Sequence, residues 1–168
     1  MAISMYRISV SIYVRHLTGL VTCLKRAQAF YAEKKYDEST LLNYRFYPDM
    51  YNFTMQIHRA TNHARESTAL LAGLEAPKYE DNEKSLAELI ARVEKTIAYL
   101  KSIKPEQVDG SEGKTVTVKI RDRETKYTGL EYLLERPMPN FYFHSTTAYD
   151  IMRHNGVELS MHDLLQLS

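Results

Sequence analysis

Three polar side chains in this sequence have the types and spacing needed for chemistry inside a helical protein. Asn140 and His144 are four residues apart, so on a helix both project from the same face. Gln56 lies in an earlier helical pattern, one position before Ile57 of its apolar seam, and can reach the same interior. An imidazole titrates at about pH 6.5, which suits His144 to proton transfer. The spacing is compatible with a metal site, a substrate site or only a buried hydrogen-bond network.

Three further side chains are candidates for lining such a site. His63 flanks the same seam as Gln56 and is a candidate substrate-binding residue or replacement ligand. Tyr6 and Tyr13 share the seam of an earlier helix and could project into one cavity as substrate-binding residues. Structural roles remain open for these residues as well. Asn140 could cap a helix, the tyrosines could pack in the core, and His144 could form a buried hydrogen bond.

Composition narrows the class of protein. The chain has 168 residues, enough for one domain with a sizeable core, and 22 basic residues against 21 acidic ones. It has no basic stripe, which argues against nucleic-acid binding, and no apolar run long enough for a membrane span or a signal peptide. The single cysteine, Cys23, predicts a buried apolar role and excludes an internal disulfide. A cytoplasmic protein is expected.

Apolar residues repeat at steps of three and four in four segments, which predicts four long helices. The segments are residues 4–35, 51–72, 86–104 and 140–155. Gly73 and Gly156 are typical helix stops, and the spacing of Ser85 and Glu88 predicts a capping box. The seam passes beside His16, which we expect at the surface or near a helix end.

Shorter elements connect these helices. Residues 115–120 and 124–128 alternate with a period of two, which predicts a small β-hairpin between the third and fourth long helices. Short helical segments are expected within 36–50 and 129–136, and the tail, 157–168, as an extended segment or a final turn. The pattern predicts an all-α fold, a four-helix bundle with a hairpin insertion, as one domain over residues 1–168.

The order of these segments resembles the DinB/YfiT-like superfamily of four-helix bundles, in an uncharacterised branch of it. The resemblance is carried by LLNYRFYPDM (41–50), the Gln56 helix through LLAG (70–73), KYEDNE (78–83), and PNFYFH, TTAY and RHNG within 139–156. Met152-Arg153-His154-Asn155-Gly156-Val157 matches the ending typical of the fourth helix. It implies the DinB-like bundle, although bundles of one shape host many functions.

The resemblance also implies a metal site that this chain has altered. Many DinB-like proteins bind a divalent metal through one histidine on the second helix and two, four residues apart, on the fourth. The corresponding positions here are Gln56, Asn140 and His144, so amides replace two of three imidazoles. Amide oxygens ligate hard cations, whereas zinc and nickel prefer imidazole. The expectation is therefore either no cofactor, or a divalent metal with His144 as its best ligand.

Two functions follow from the residues and the resemblance. The first is a small-molecule enzyme of the isomerase or transferase type, in which His144 moves a proton while Asn140 and Gln56 hold a substrate oxygen. The second is a non-catalytic binding or structural module, a homodimer whose polar trio fixes the helix register. A cavity of a few hundred Å³ at His144 would favour the enzyme.

Overall fold

Four long helices, α2, α4, α5 and α8, carry the architecture, and the computed structural model describes residues 4–120 and 122–166. The elements are α1 Met5–Ile8, α2 Val10–Lys34, α3 Glu38–Leu42, α4 Phe53–Ala72, α5 Leu86–Ser102, α6 Pro105–Val108, β1 Thr115–Ile120, β2 Arg123–Thr128, α7 Gly129–Glu135, α8 Pro137–His154 and α9 Met161–Leu165. Residues 1–3, 121, 167 and 168 of the predicted domain lie outside the described residues.

The long helices pack into the expected bundle. α4 lies along α8, α2 lies along α5, and further contacts join α4 to α5 and α2 to α8. The apolar seams meet in a core whose largest wholly buried side chains include Tyr13, Phe53 and Phe141. The strands pair antiparallel, from Thr115 opposite Thr128 onward, and form the small hairpin between α5 and α8. The predicted fold class is confirmed.

Helix ends follow local side-chain chemistry in α4 and α5. The Asn52 side chain accepts a hydrogen bond from the amide of Met55, and Gly73 ends α4 with a φ of 68°. Ser85 accepts from the amide of Glu88 as expected. The Glu88 carboxylate, however, accepts from the amide of Lys84 at 2.6 Å, so the reciprocal half of the predicted capping box is wrong by one residue.

Two helix starts differ from the sequence pattern. The first long helix is interrupted at Ser9, whose φ and ψ are −118° and −81° and whose hydroxyl donates to the Met5 carbonyl at 2.6 Å. α8 begins at Pro137, three residues earlier than predicted, because a proline in the first turn has no amide hydrogen to leave unpaired. Asn140 therefore lies inside α8 and does not cap it.

The tail packs against the first long helix as a final turn. α9 contacts α2, and a Cβ built on Gly19 would lie 1.9 Å from the Leu164 carbonyl oxygen. Glycine is thus required for the close approach of the two backbones. The Arg26 guanidinium adds an ion pair with Asp163 across the same contact.

Candidate functional site

A cleft of about 410 Å³ lies between α4, α8 and the β-hairpin, and it contains two histidines. The side chains lining it are Tyr51, Arg59, His63, Glu66, Val118, Lys119, Tyr132, Arg136, Pro137, Asn140 and His144. Clefts of 430 and 450 Å³ elsewhere on the bundle are lined without histidine. Both the volume and the convergence of polar groups are typical of a small-molecule site.

Gln56 and His144 form the best-defined contact of this site. Gln56 is 1% exposed, and its Oε1 lies 2.7 Å from His144 Nδ1. The amide orientation is determined by the Tyr51 carbonyl, which can only accept, so Gln56 Nε2 must donate to it at 3.1 Å. Gln56 Oε1 then faces His144, and Nδ1 must carry the proton. His144 Nε2 is consequently the nitrogen with the free lone pair.

His63 lies directly against His144. The two rings are stacked, with centroids 5.7 Å apart and planes 8° from parallel. Burial, the neighbouring His63 and then Arg59 lower the pKa of His144 to about 4. Burial, Arg59 and Arg136 lower the pKa of His63 to about 4 as well. Both imidazoles are therefore neutral at pH 7 and can accept a proton or a hydrogen bond.

Asn140 lines the cleft but does not complete a mutual trio with Gln56 and His144. Its Nδ2 donates to the Arg136 carbonyl at 2.7 Å, one turn back along α8. In the structural alternative, Gln56, Asn140 and His144 would hydrogen-bond to one another. Of these, only Gln56 and His144 are in contact in the described structure.

Tyr6 and Tyr13 are placed away from the cleft. Tyr13 is wholly buried, and this burial raises the pKa of its phenol. Its hydroxyl lies 3.2 Å from Ser67 Oγ. The backbone amide of Tyr6 donates to Asp109, which fixes the start of α1 near α6. Neither tyrosine is among the side chains lining the cleft, because Tyr13 lies in the apolar core and Tyr6 packs against it.

Charged residues that the sequence reading missed complete the cleft. Arg59 lies one helical turn before His63, and Arg136 one turn before Asn140, so i, i+4 spacing would have found both. Lys119 comes from the hairpin, and no local pattern links it to the helices. The Arg59 guanidinium carbon also lies 5.4 Å from the Tyr51 ring centre.

His16 is buried, which corrects the expectation of a surface position. It is 4% exposed, and its Nε2 lies 3.0 Å from Ser145 Oγ. The Ser145 hydroxyl donates to the Phe141 carbonyl, so its oxygen accepts from the His16 ring. Burial and then the nearby Arg15 lower the pKa of His16 to about 4. Its contacts are those of a core histidine between α2 and α8.

A second polar cluster fixes the segment between α4 and α5. Buried Arg92 forms ion pairs with Asp81 at 2.8 Å and Glu83 at 2.9 Å. His58, 2% exposed, has Nε2 2.7 Å from Glu83 Oε2 but outside hydrogen-bond geometry. Burial and Arg92 lower the pKa of His58. Tyr79 adds cation–π contacts, so this cluster ties the connecting segment to both helices.

Comparison with known proteins places this arrangement in a family. A family model described as "Domain of unknown function (DUF1993)" matches residues 5–165. A crystal structure of a DinB family member protein from Shewanella denitrificans is 35% identical, with a TM-score of 0.88 over 97% of this chain and 92% of that one. No curated protein matches the chain significantly.

The chain belongs to the DUF1993 family, within the DinB-like bundles. The resemblance seen in the sequence is thereby confirmed. In the part of this DinB-like chain that the structure describes, no helix is both long and apolar enough to cross a membrane.

The metal site that DinB-like proteins imply does not fit the side chains of this member. Gln56 Oε1 accepts from His144 Nδ1–H and Asn140 Nδ2 donates to a carbonyl, so His144 Nε2 is the one imidazole donor that the three positions offer. Arg59 and Arg136 add positive charge that would repel a cation. Within residues 4–120 and 122–166, no three His, Cys, Asp or Glu side chains are grouped to hold a metal.

Proposed function

We propose that this DinB-like protein is a small-molecule enzyme of the isomerase or transferase type that works by acid–base catalysis in the His144 cleft. The observation that carries the proposal is the Gln56–His144 contact at the wall of a cleft of about 410 Å³. A buried amide that fixes one tautomer of a histidine in a cleft is the arrangement that a proton-transfer site needs.

In the proposed reaction, His144 Nε2 takes a proton from the bound substrate while Nδ1–H stays hydrogen-bonded to Gln56. The imidazolium then returns the proton to another atom of the substrate or to a leaving group, so an isomerisation requires no co-reactant. Gln56 acts through His144 by fixing the ring. Asn140 and His63, which also line the cleft, are placed to contact the substrate.

The proposed chemistry uses no metal. Two amides and one imidazole make a poor donor set for zinc or nickel, and Gln56 Oε1 is already hydrogen-bonded to His144. The chemistry therefore rests on the side chains of the cleft. Protein purified without chelators or nickel resin is expected to contain substoichiometric metal by elemental analysis, and to keep its activity after treatment with a chelator.

The function is tested by incubating the protein with a metabolite extract in D₂O and recording deuterium incorporation and new species by mass spectrometry. Wild-type protein is expected to label or convert at least one metabolite, and His144→Gln to lower that rate by about 10²–10⁴-fold. His154→Gln is the matched control, because His154 is an exposed histidine on the same helix. Equal rates in the wild type and His144→Gln would contradict the proposal.

A non-catalytic homodimer that binds a ligand or serves as a structural module is the second candidate. It is favoured by the large exposed aromatic side chains of α8 and the segment before α4, where Phe143 is 56% and Tyr47 65% exposed. Sedimentation equilibrium should then give a dimer that Phe143→Ser dissociates. In this case His144→Gln would lower the free energy of unfolding while no conversion is found for any protein. The same cytoplasmic setting is proposed for both functions.

A further inference from the structure

The ionisable side chains of the His144 cleft are strongly unbalanced in charge. Arg59, Lys119 and Arg136 line it together with a single carboxylate, Glu66. The Glu66 carboxylate already forms an ion pair, since one of its oxygens lies 2.7 Å from the Arg65 guanidinium. Arg65 is not among the side chains that line the cleft. The negative charge within the cleft is thus largely offset before any ligand arrives.

Among the residues that the structure describes, the basic groups of the cleft have no carboxylate partner. Within the described residues, no ion pair involves Arg59, Lys119 or Arg136, although other basic side chains of the bundle form several. Arg59 has instead a long contact, 3.4 Å, with the Tyr51 hydroxyl. Basic groups that converge on a concave surface without counter-charges create a positive potential, which attracts anions.

The positive potential reaches the imidazoles. Arg59 and Arg136 are both causes of the lowered pKa of His63, after burial, and Arg59 contributes to that of His144. Because the two histidines are neutral, they can accept hydrogen bonds and do not compete with the arginines for the negative group.

We infer that the cleft binds a small organic carboxylate, with its charged end held by Arg59 and Arg136 and its reactive part beside His144. This inference rests on the proposed function for the reacting end, but the anion site itself does not require turnover. Arginine forks bind carboxylates in two-pronged fashion, which would orient the substrate relative to the imidazole.

The start of α8 offers an anion few backbone donors. Anion sites at helix starts, for phosphate and carboxylate alike, use free backbone N–H groups. Pro137 and Pro139 remove two of these donors from the first turn of α8, and Pro137 lines the cleft. An anion in the cleft is therefore held by side chains, and Arg59 and Arg136 are the basic groups on its helical walls.

A bound carboxylate would also tune His144. A negative charge close to an imidazole favours its protonated form and raises its pKa. The pKa of His144, about 4 in the free protein, would rise toward the range in which a histidine transfers protons efficiently at neutral pH. The substrate would thus improve the base that acts on it.

The inference is tested by NMR titrations at low ionic strength, following the imidazole signals of His63 and His144. The probes are benzoate and glutarate, their neutral counterparts benzamide and glutaramide, and inorganic phosphate. The carboxylates are expected to shift both signals and raise the pKa of His144, and to bind at least about tenfold more tightly than the amides, with sodium chloride weakening them.

The charge variants locate the anion site. Arg59→Gln/Arg136→Gln is expected to lower carboxylate affinity by at least about tenfold. Arg153→Gln is the matched control for Arg136→Gln, since each removes one positive charge at α8 and Arg153 lies about 25 Å from Arg136, at 1.5 Å per residue. If the double variant does not fold, the two single variants give the same comparison, because both arginines are exposed.

Several results would overturn the inference: no carboxylate binding, amides binding as tightly as carboxylates, phosphate binding in preference, or unchanged affinity in the double variant. The His144→Gln variant separates this inference from the proposed function. Arginine-dependent carboxylate binding without any His144-dependent conversion would leave the anion site standing and remove the enzyme. His144-dependent conversion of neutral metabolites only would support the enzyme and contradict the anion site.

Discussion

At the scale of single residues, the contact between Gln56 and His144 matters most, because it selects the nitrogen that can react. The Tyr51 carbonyl orients the Gln56 amide, the amide fixes the proton on His144 Nδ1, and the Nε2 lone pair is left free. The Tyr51 carbonyl before α4 and the Gln56 amide of α4 thus determine the tautomer of His144 on α8.

Replacement of Gln56 by leucine is expected to destabilise the fold. His144 Nδ1–H would lose its partner in a buried place, which costs about 1–3 kcal/mol of the free energy of unfolding. Urea denaturation of Gln56→Leu beside Gln28→Leu, a half-buried glutamine of α2, measures this. Equal stability of the two variants would show that the hydrogen bonds are not formed.

The sequence predicted part of this site. Spacing on one helix brought Asn140 and His144 to one wall, and the resemblance added Gln56 from another helix. The hydrogen-bond partner of each side-chain amide could not be predicted. The Asn140 amide donates to the Arg136 carbonyl of its own helix, whereas the Gln56 amide oxygen accepts from His144 on another helix. His16 was misplaced because periodicity gives the buried face of a helix, whereas its partner Ser145 is distant in the chain.

At the scale of elements, the contact between α2 and α9 depends on a missing side chain. Gly19 sits in the interior of α2, where alanine would ordinarily stabilise a helix by up to about 1 kcal/mol. Here the added Cβ would collide with the backbone of α9 at Leu164. Close packing therefore opposes helix propensity at this position.

The Gly19→Ala substitution is expected to lower the free energy of unfolding by about 1–3 kcal/mol, since one of the two helices must move. Gly113→Ala is the control, because a Cβ there meets no atom within 4 Å and should change stability by less than about 0.5 kcal/mol. Stabilisation by Gly19→Ala in thermal or chemical unfolding would contradict the packing of α9 on α2.

Element boundaries were predictable where the cap lies beside the helix it ends. Gly73 ends α4 as the sequence indicated, and Asn52 caps its start. The start of α8 could not be predicted in this way, because a proline can either end one helix or begin the next. In the structure, Pro137 is the first residue of α8. The break at Ser9 is equally local, yet a serine in a helical seam does not distinguish a break from a continuous helix.

At the scale of the whole molecule, several histidines are kept neutral inside the bundle. Burial is the largest cause of a lowered pKa for His16, His58, His63 and His144. These histidines lie in three places: His16 contacts Ser145, His58 lies beside Glu83, and His63 stacks on His144. Their common shift makes the stability of the entire fold sensitive to pH.

Stability is expected to fall as the pH drops from about 6.5 toward 4. In this window the unfolded chain, whose histidines titrate at about pH 6.5, binds protons that the folded chain does not, so acid favours unfolding. Each unit of pKa difference corresponds to about 1.4 kcal/mol. Urea midpoints should be constant between about pH 7 and 8 and lower at pH 5. A midpoint that is unchanged at pH 5 would contradict the burial of these imidazoles.

The neutral, Nδ1-protonated state of His144, on which the proposed chemistry depends, is measured directly by ¹⁵N NMR of the imidazole. In the wild type at pH 7, we expect a protonated Nδ1 and an unprotonated Nε2, with a pKa of about 4 in a titration followed on the same signals. Gln56→Leu should lose this single tautomer. A wild-type His144 protonated on Nε2, or one that titrates at about pH 6.5 as a free histidine does, would rule out this state and the proton transfer proposed for it.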